Sequence, residues 1–449
     1  MKSGMLNVSK NVWILSPDMG PDVGAVMAAK SSRAAHLPKR FEELVAAAGC
    51  EPEQWDWQQP PKAVEDFLAL NLAGYSHASI GEMAPVWVYA EGMGWPLAWL
   101  LLDFPRVICQ ENSSRVIDQH HVPERLNICE GADPRLQRLH DAWMAFYDGL
   151  PSEKVDGASG KSRAYKFDDR RFALPGTMRT GVGYFGAPAR DVVRHLERME
   201  HLSGWVKDWA DQYLEGVAAY APATSKSLRR GARDDAMGHW NVRLHDLGGA
   251  ADWDGHAVGM VSAQEGVRLQ LAHFSSVQGA GAYAHALAYA EPRKGPRSYL
   301  DPLYARTPQL DVVQYVSVGT ARDEHRHRPL MPFDMSPVVN GDAVVFAPWT
   351  PFEVPADLAA LTSELFFELW HEATTKAAKW QALHALPFCA LLRLEYQADL
   401  PNLVYKAELR ASTSNAHWEY KAQNTRILEL LAQKLPQEVI EREKITSHL

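Results

Sequence analysis

Residues 77–115 read HASIGEMAPVWVYAEGMGWPLAWLLLDFPRVICQENSSR. Polar clusters bound the stretch: His77-Ala78-Ser79-Ile80-Gly81-Glu82 opens it, and Gln110-Glu111-Asn112-Ser113-Ser114-Arg115 closes it. Between them lie two apolar pieces. Val86 to Ala90 is rich in β-branched and aromatic residues and predicts a short strand. Trp95 to Leu102 predicts a helix, with Pro96 in its first turn, where a missing N–H costs little. The polar clusters therefore sit at the ends of buried elements, where a rigid scaffold holds functional groups in place.

Outward from this stretch, the 449 residues suffice for two or three domains with sizeable cores. With 22% charged and 46% hydrophobic residues, the composition is that of a soluble globular protein. A net charge of −9 argues against coating DNA or RNA, because phosphate backbones demand basic surfaces. It leaves room for a small phosphorylated ligand held by a few arginines. Cys50, Cys109, Cys129 and Cys389 are scattered without a C-x-x-C pair, which points to reduced thiols in a cytoplasmic protein. The N-terminal residues lack the apolar core of a signal peptide. The most apolar run, Gly92 to Leu102, is too short to span a bilayer, so no membrane partner is expected.

Read in order, the chain predicts a strand over Asn11–Leu15 and helices over Val23–Ala29, Lys39–Ala48, Pro61–Leu72 and Pro134–Gly149. Pro151–Arg163, rich in Ser, Gly and Lys, reads as a mobile surface loop. A turn region to Pro188 precedes one long helix from Ala189 to about Tyr213, and Ala221–Gly238 reads as a basic linker. Then the pattern starts again. Asn241–Asp246 resembles Asn11–Ser16, and His273-Phe274-Ser275-Ser276-Val277-Gln278 resembles the His77 cluster with glutamine in place of glutamate. The chain thus reads as two diverged copies of one domain, 1–235 and 236–449.

The clusters resemble those of one family, the flavin-dependent thymidylate synthases (ThyX), which carry H-x-[ST]-x-x-E followed by R-H-R-x7-S-x-R. The first copy matches at His77, Ser79 and Glu82, and at Glu111, Ser113 and Arg115, but has Asp103-Phe104-Pro105 where the family has Arg-His-Arg. The second copy supplies Arg326-His327-Arg328 and the serine Ser336, with Val338 in place of the last arginine. Arg171, in Arg170-Arg171-Phe172-Ala173-Leu174-Pro175, and Arg190, opening the next helix, resemble two further family arginines. Leu409-Arg410-Ala411 with Ala416-His417-Trp418-Glu419 resembles the family's L-R-A-x-x-x-A-Q-W-E helix. Each copy keeps what the other lost. Such complementary loss makes sense if sites form between copies, as they form between subunits in the family, and closed symmetry makes fused pairs geometrically easy.

The resemblance implies an α/β (α+β) fold of two similar domains, each a twisted, mainly antiparallel sheet flanked by helices. It implies reductive C5 methylation of deoxyuridylate (dUMP), with FAD as cofactor and methylenetetrahydrofolate and NADPH as co-substrates, in a homodimer of two-domain chains. Arginine forks pair phosphate oxygens bidentately. The resemblance therefore assigns the nucleotide to Glu111, Ser113, Arg115, Arg171 and Arg410, with Ser113 and Arg410 closest to the chemistry. It assigns the flavin to His77, Ser79, Glu82, Arg190, Arg326, His327 and Arg328. The cofactor carries the hard chemistry while the protein orients and polarises.

Other readings accompany this one. The substrate is another pyrimidine nucleotide, with hydroxymethyl as the added group; the chain is a non-catalytic nucleotide- or flavin-binding relative; or it is a flavin oxidoreductase without folate. Glu111 and Arg115, four apart, also suit a local ion pair. Gly181-Val182-Gly183-Tyr184-Phe185-Gly186 fits G-x-G-x-x-G but lacks the leading strand and distant acid of a dinucleotide fold. His325 and His327 alternate like metal ligands, with no carboxylate cluster at ligand spacing to complete a site.

Overall fold

The structure is a computed structural model. It describes residues 5–9, 12–15, 19–31, 37–56, 58–75, 77–103, 109–114, 127–150, 169–200, 204–229, 243–244, 264, 267–270, 284–286, 288, 300, 302–306, 309–325, 327, 333–412 and 417–434. In chain order its elements are β1 (Met5–Ser9), β2 (Val12–Leu15), α1 (Gly20–Ser31), α2 (Leu37–Ala48), α3 (Lys62–Leu68), β3 (Pro85–Met93), α4 (Trp95–Leu102), β4 (Cys109–Glu111), α5 (Gln137–Gly149), β5 (Thr180–Pro188), α6 (Ala189–Glu200), α7 (Trp205–Tyr220) and α8 (Pro222–Leu228). There follow β6 (Arg243–Leu244), β7 (Val267–Gln270), β8 (Leu310–Ser317), α9 (Val318–Glu324), β9 (Phe333–Pro337), β10 (Val339–Asn340), β11 (Ala343–Val344), α10 (Ala356–Glu372), α11 (Lys376–Ala382), β12 (Leu391–Ala398), α12 (Leu400–Ser412) and α13 (Trp418–Lys434). The chain is a mixed α+β protein with mainly antiparallel pairing.

It divides into two compact units, each assembled from separate stretches. The first comprises Met1–Glu91, Arg106–Glu111 and Gly181–His239; the second comprises Gly92–Pro105, Asn112–Thr180 and Trp240–Leu449.

In the first unit a small sheet in the order β3-β5-β4 carries helices α6 to α8. The G-x-G-x-x-G stretch lies inside β5 rather than in a turn. Gly183 is small for a packing reason: a Cβ there would lie 2.3 Å from the ring of Phe185 and 3.0 Å from that of Tyr89. The expected long helix from Ala189 breaks in two. Gly204, at φ +72°, starts α7 afresh, a backbone conformation that side chains with a Cβ rarely adopt. The expected linker contains a helix as well. The N–H groups of Ala223 and Thr224 open α8 and donate to the buried Asp22 carboxylate at 2.9 and 3.0 Å. That contact satisfies donors the helix itself cannot. Basic, Gly-containing composition concealed it.

In the second unit the sheet order is β6-β9-β12-β8-β7, antiparallel except for β6 beside β9. Register sets Leu392, Leu394 and Tyr396 of β12 opposite Val316, Gln314 and Val312 of β8, and opposite Pro337, Met335 and Phe333 of β9. All of these side chains are buried. Helix α4 has the bounds expected from sequence, and every one of its residues is buried, as an all-apolar helix requires. Its Trp99 stacks on His325 with ring centres 4.0 Å apart, and Phe333 meets both rings edge-on. No helix of the described residues is long and apolar enough to cross a membrane. All four cysteines are free thiols.

Candidate functional site

In the second unit, polar residues from both halves of the sequence converge on α9. All seven residues of this short helix are buried. Its start is held by Glu419 of α13. One carboxylate oxygen accepts the Ser317 N–H at 2.9 Å; the other accepts the hydroxyls of Ser317 at 2.6 Å and Thr320 at 2.8 Å. Its end carries two acids, each with a buried cation. Asp323 Oδ2 pairs with Arg171 Nη2 at 2.8 Å, and Arg171 is only 2% exposed. The other guanidinium edge of Arg171 lies 3.5 Å from Ser114 Oγ. Glu324 takes Lys406 of α12, with Nζ at 2.8 and 2.9 Å from the two carboxylate oxygens and 3.0 Å from the Tyr396 hydroxyl. Tyr396 donates onward to Gln314 Oε1, and Gln314 reaches Gln423 of α13. Burial pushes the Lys406 ammonium down in pKa, against the attraction of Glu324. A charge pair removed from water this completely contributes little net stability but fixes which groups face each other.

One step outward along the same two elements sits a second pair. His327 follows Glu324 by three residues, and its N–H donates to the Glu324 carbonyl at 2.9 Å. Arg410 follows Lys406 by one helical turn. Arg410 Nε donates to His327 Nε2 at 3.0 Å, and its guanidinium lies 5.3 Å from the centre of the Tyr420 ring. As the acceptor, His327 Nε2 is unprotonated, so the ring proton is on Nδ1. Arg410 is half-buried, and among the described residues its Nη1 and Nη2 make no hydrogen bond or ion pair. A guanidinium fixed at Nε and set beside an aromatic ring presents its remaining two-pronged edge as an anion fork.

Ser113 is half-buried in this unit, next to the Ser114 that faces Arg171. Arg115, Arg326 and Arg328 lie outside the described residues. Arg322, not singled out in the sequence, lies 4.7 Å from the Phe388 ring, and its Nη2 is 3.4 Å from both the Asn112 carbonyl and Thr180 Oγ1.

In the first unit the His77 cluster forms a 3-10 turn, Ala78–Met83. Glu82 pairs with Arg190 at the start of α6. Gly81 lets the turn pack closely: a Cβ would lie 3.0 to 3.3 Å from Leu228 and Arg190, whose side chains would have to give way slightly. His77 and Ser79 are exposed and line a cavity of about 340 Å³, shared with Lys30, Arg40, Phe67 and Asn71. Glu111, the last residue of β4, is half-buried opposite Val182 of β5.

The sequence clusters did not single out Asp323, Glu324, Lys406, Tyr420 or Ser114. The available signal was Asp323-Glu324 directly before His325-Arg326-His327-Arg328, and Lys406 four residues before Arg410 on one helix face. No group of three or more His, Cys, Asp or Glu among the described residues could hold a metal ion. Comparison of the chain with protein-family models, curated proteins and solved structures returned no match.

Proposed function

We propose that the second unit binds the phosphate of a pyrimidine nucleoside monophosphate at the Arg410 fork, and that the chain carries out flavin-dependent C5 methylation of deoxyuridylate. The observation carrying this reading is the pairing of His327 with Arg410. The resemblance assigns Arg410 to the nucleotide and His327 to the flavin, and the half-buried fork beside Tyr420 is chemically suited to an oxyanion. Arg171 acts on the same end of α9 in this reading. Its charge is spent on Asp323, so its part is to hold the end of α9 and to lie beside Ser114. Ser113 and Arg115 are the further nucleotide ligands in this reading, and Arg326, His327 and Arg328 are flavin ligands by resemblance. Glu111 is assigned to the nucleotide by resemblance alone.

FAD, when bound, supplies the reducing equivalents, NADPH reduces it, and methylenetetrahydrofolate supplies the carbon. The donors of the first unit suit the cofactor: His77 and Ser79 open onto a cavity with two cations and an aromatic ring, chemistry that fits a diphosphate joined to a planar body. Glu82 and Arg190, tied to each other, brace the turn that presents them. Two ThyX-like copies, 1–235 and 236–449, acting together in a homodimer belong to the same proposal.

Binding of deoxyuridylate to wild type, Arg410→Ala and Arg410→Lys tests it. A charge-assisted fork contributes about 1.5–3 kcal/mol, so Arg410→Ala should weaken binding about 10- to 100-fold. Arg410→Lys should recover only part, because an ammonium cannot reproduce the planar fork. Unchanged affinity in Arg410→Ala refutes the assignment.

A further inference from the structure

The cavity of the first unit is built by four consecutive pieces of chain. Lys30 comes from the last turn of α1 and Arg40 from the start of α2. Phe67 lies in the last turn of α3, and Asn71 lies in the π turn Ala69–Gly74 that continues it. His77 and Ser79 follow. The π turn positions the wall. Tyr75 N–H reaches back to the Leu70 carbonyl at 2.9 Å, and His77 N–H to the Asn71 carbonyl at 2.9 Å. Such single π turns recur at functional sites, because the extra residue turns side chains out of helical register. Asn71 Nδ2 donates to the Phe67 carbonyl at 2.8 Å, which fixes the amide. Lys30 Nζ lies 5.0 Å from the centre of the Phe67 ring, so the ammonium is held at the wall.

Among the described residues the lining contains two cations and no carboxylate. Arg40 Nη1 is paired at 2.7 Å with Glu43, which is not one of the lining residues. In a chain of net charge −9, this wall is a local exception that attracts anions. Its volume, about 340 Å³, is at the small end of ligand cavities, the size of one nucleotide rather than an extended dinucleotide.

We propose that this cavity binds a nucleoside diphosphate group, with Lys30 and Arg40 as the cations that hold the diphosphate, His77 and Ser79 as its polar donors, and Phe67 beside the planar body. The group comes either as a free nucleoside diphosphate or as half of a dinucleotide cofactor; only the second source rests on the flavin reading. Neither source depends on Arg410.

The test is equilibrium dialysis of the full chain with ADP, adenosine, inorganic pyrophosphate and FAD. ADP should bind at least about 10-fold more tightly than adenosine, and pyrophosphate should compete with it. Lys30→Met and Arg40→Met should each weaken ADP about 10- to 100-fold, the loss expected for a charge-assisted contact. Arg135→Met, at a cation paired with Asp133 and Glu368 and outside the cavity lining, should leave ADP binding unchanged. Both wall residues are partly exposed, so far-UV circular dichroism of the variants should match wild type. Competition by FAD that is lost with the same two variants assigns the site to the cofactor; ADP binding without FAD competition assigns it to a free nucleotide. Absence of ADP binding, equal affinity for adenosine and ADP, or wild-type affinity in both methionine variants overturns the proposal.

Discussion

Replacing Lys406 by methionine isolates the physics that organises the second unit. Lys406 is 1% exposed and its partner Glu324 is fully buried. In wild type the Glu324 carboxylate receives the ammonium at 2.8 and 2.9 Å, with Gln314 Nε2 at 3.1 Å as a neutral donor. Methionine keeps the length of the side chain and removes the charge, leaving a carboxylate in a protein interior with neutral donors only. Breaking a buried pair by deleting one partner costs about 3–5 kcal/mol, because the remaining charge is uncompensated. Glu324→Gln combined with Lys406→Met removes both charges, and such replacement is often neutral or stabilising. The double variant should therefore recover most of the loss, a coupling that a double-mutant cycle reads directly. Urea unfolding of the four proteins, followed by tryptophan fluorescence, supplies the free energies. A Lys406→Met variant within about 1 kcal/mol of wild type, well below the cost of an uncompensated buried charge, refutes the reasoning. So does a double variant as unstable as the single one.

Other consequences follow from particular contacts. Burial pushes the His384 imidazole down to about 4, while the unfolded chain titrates near 6.5. Between these values the unfolded state binds the extra proton, so stability falls as pH drops through that window, by roughly 3 kcal/mol at its lower end. Unfolding midpoints of wild type and His384→Gln at pH 7 and pH 4.5 check this: the variant should lose less on acidification. Gly176→Ala should cost about 1–3 kcal/mol or more by overpacking, since its Cβ would fall 2.2 Å from the Leu386 carbonyl oxygen and 2.7 Å from that of His384. Thermal unfolding reads that as a midpoint lowered by several degrees, and an unshifted midpoint contradicts it. Asp22→Ala should cost ~1 kcal/mol by uncapping α8, as lost helix caps do, measurable as earlier exchange of the Ala223 and Thr224 amides.

Local pattern carried the elements whose side chains decide their own fate. Trp95–Leu102 has no polar face, so a buried helix was legible, and Val86–Ala90 marked the strand that became β3. The breaks were less legible. Gly204 sits inside a continuous helical pattern, and only its positive φ marks where α7 starts afresh. Pro222–Leu228 looks like a linker because its stabilising partner, Asp22, is 201 residues away. The glycines of residues 181–186 suggest a loop, yet Gly183 makes room for rings on a strand. Most of the candidate site was hidden for the same reason. Arg171 and Asp323 are 152 residues apart, and nothing near either one announces the other. His327 and Arg410 could be chosen from motifs, but their meeting depends on Glu324 and Lys406, which no short pattern marked.

The proposed chemistry reduces to one spectroscopic titration. Purified protein loaded with FAD is followed in the visible, near ~450 nm where oxidised flavin absorbs, as deoxyuridylate is added to wild type and to Arg410→Ala. The account predicts that wild type retains flavin, that its band shifts on nucleotide addition, and that the variant needs about 10- to 100-fold more nucleotide for the same shift, the loss of one charge-assisted fork. A protein that takes up no flavin, or whose flavin band ignores deoxyuridylate in wild type and variant alike, contradicts it.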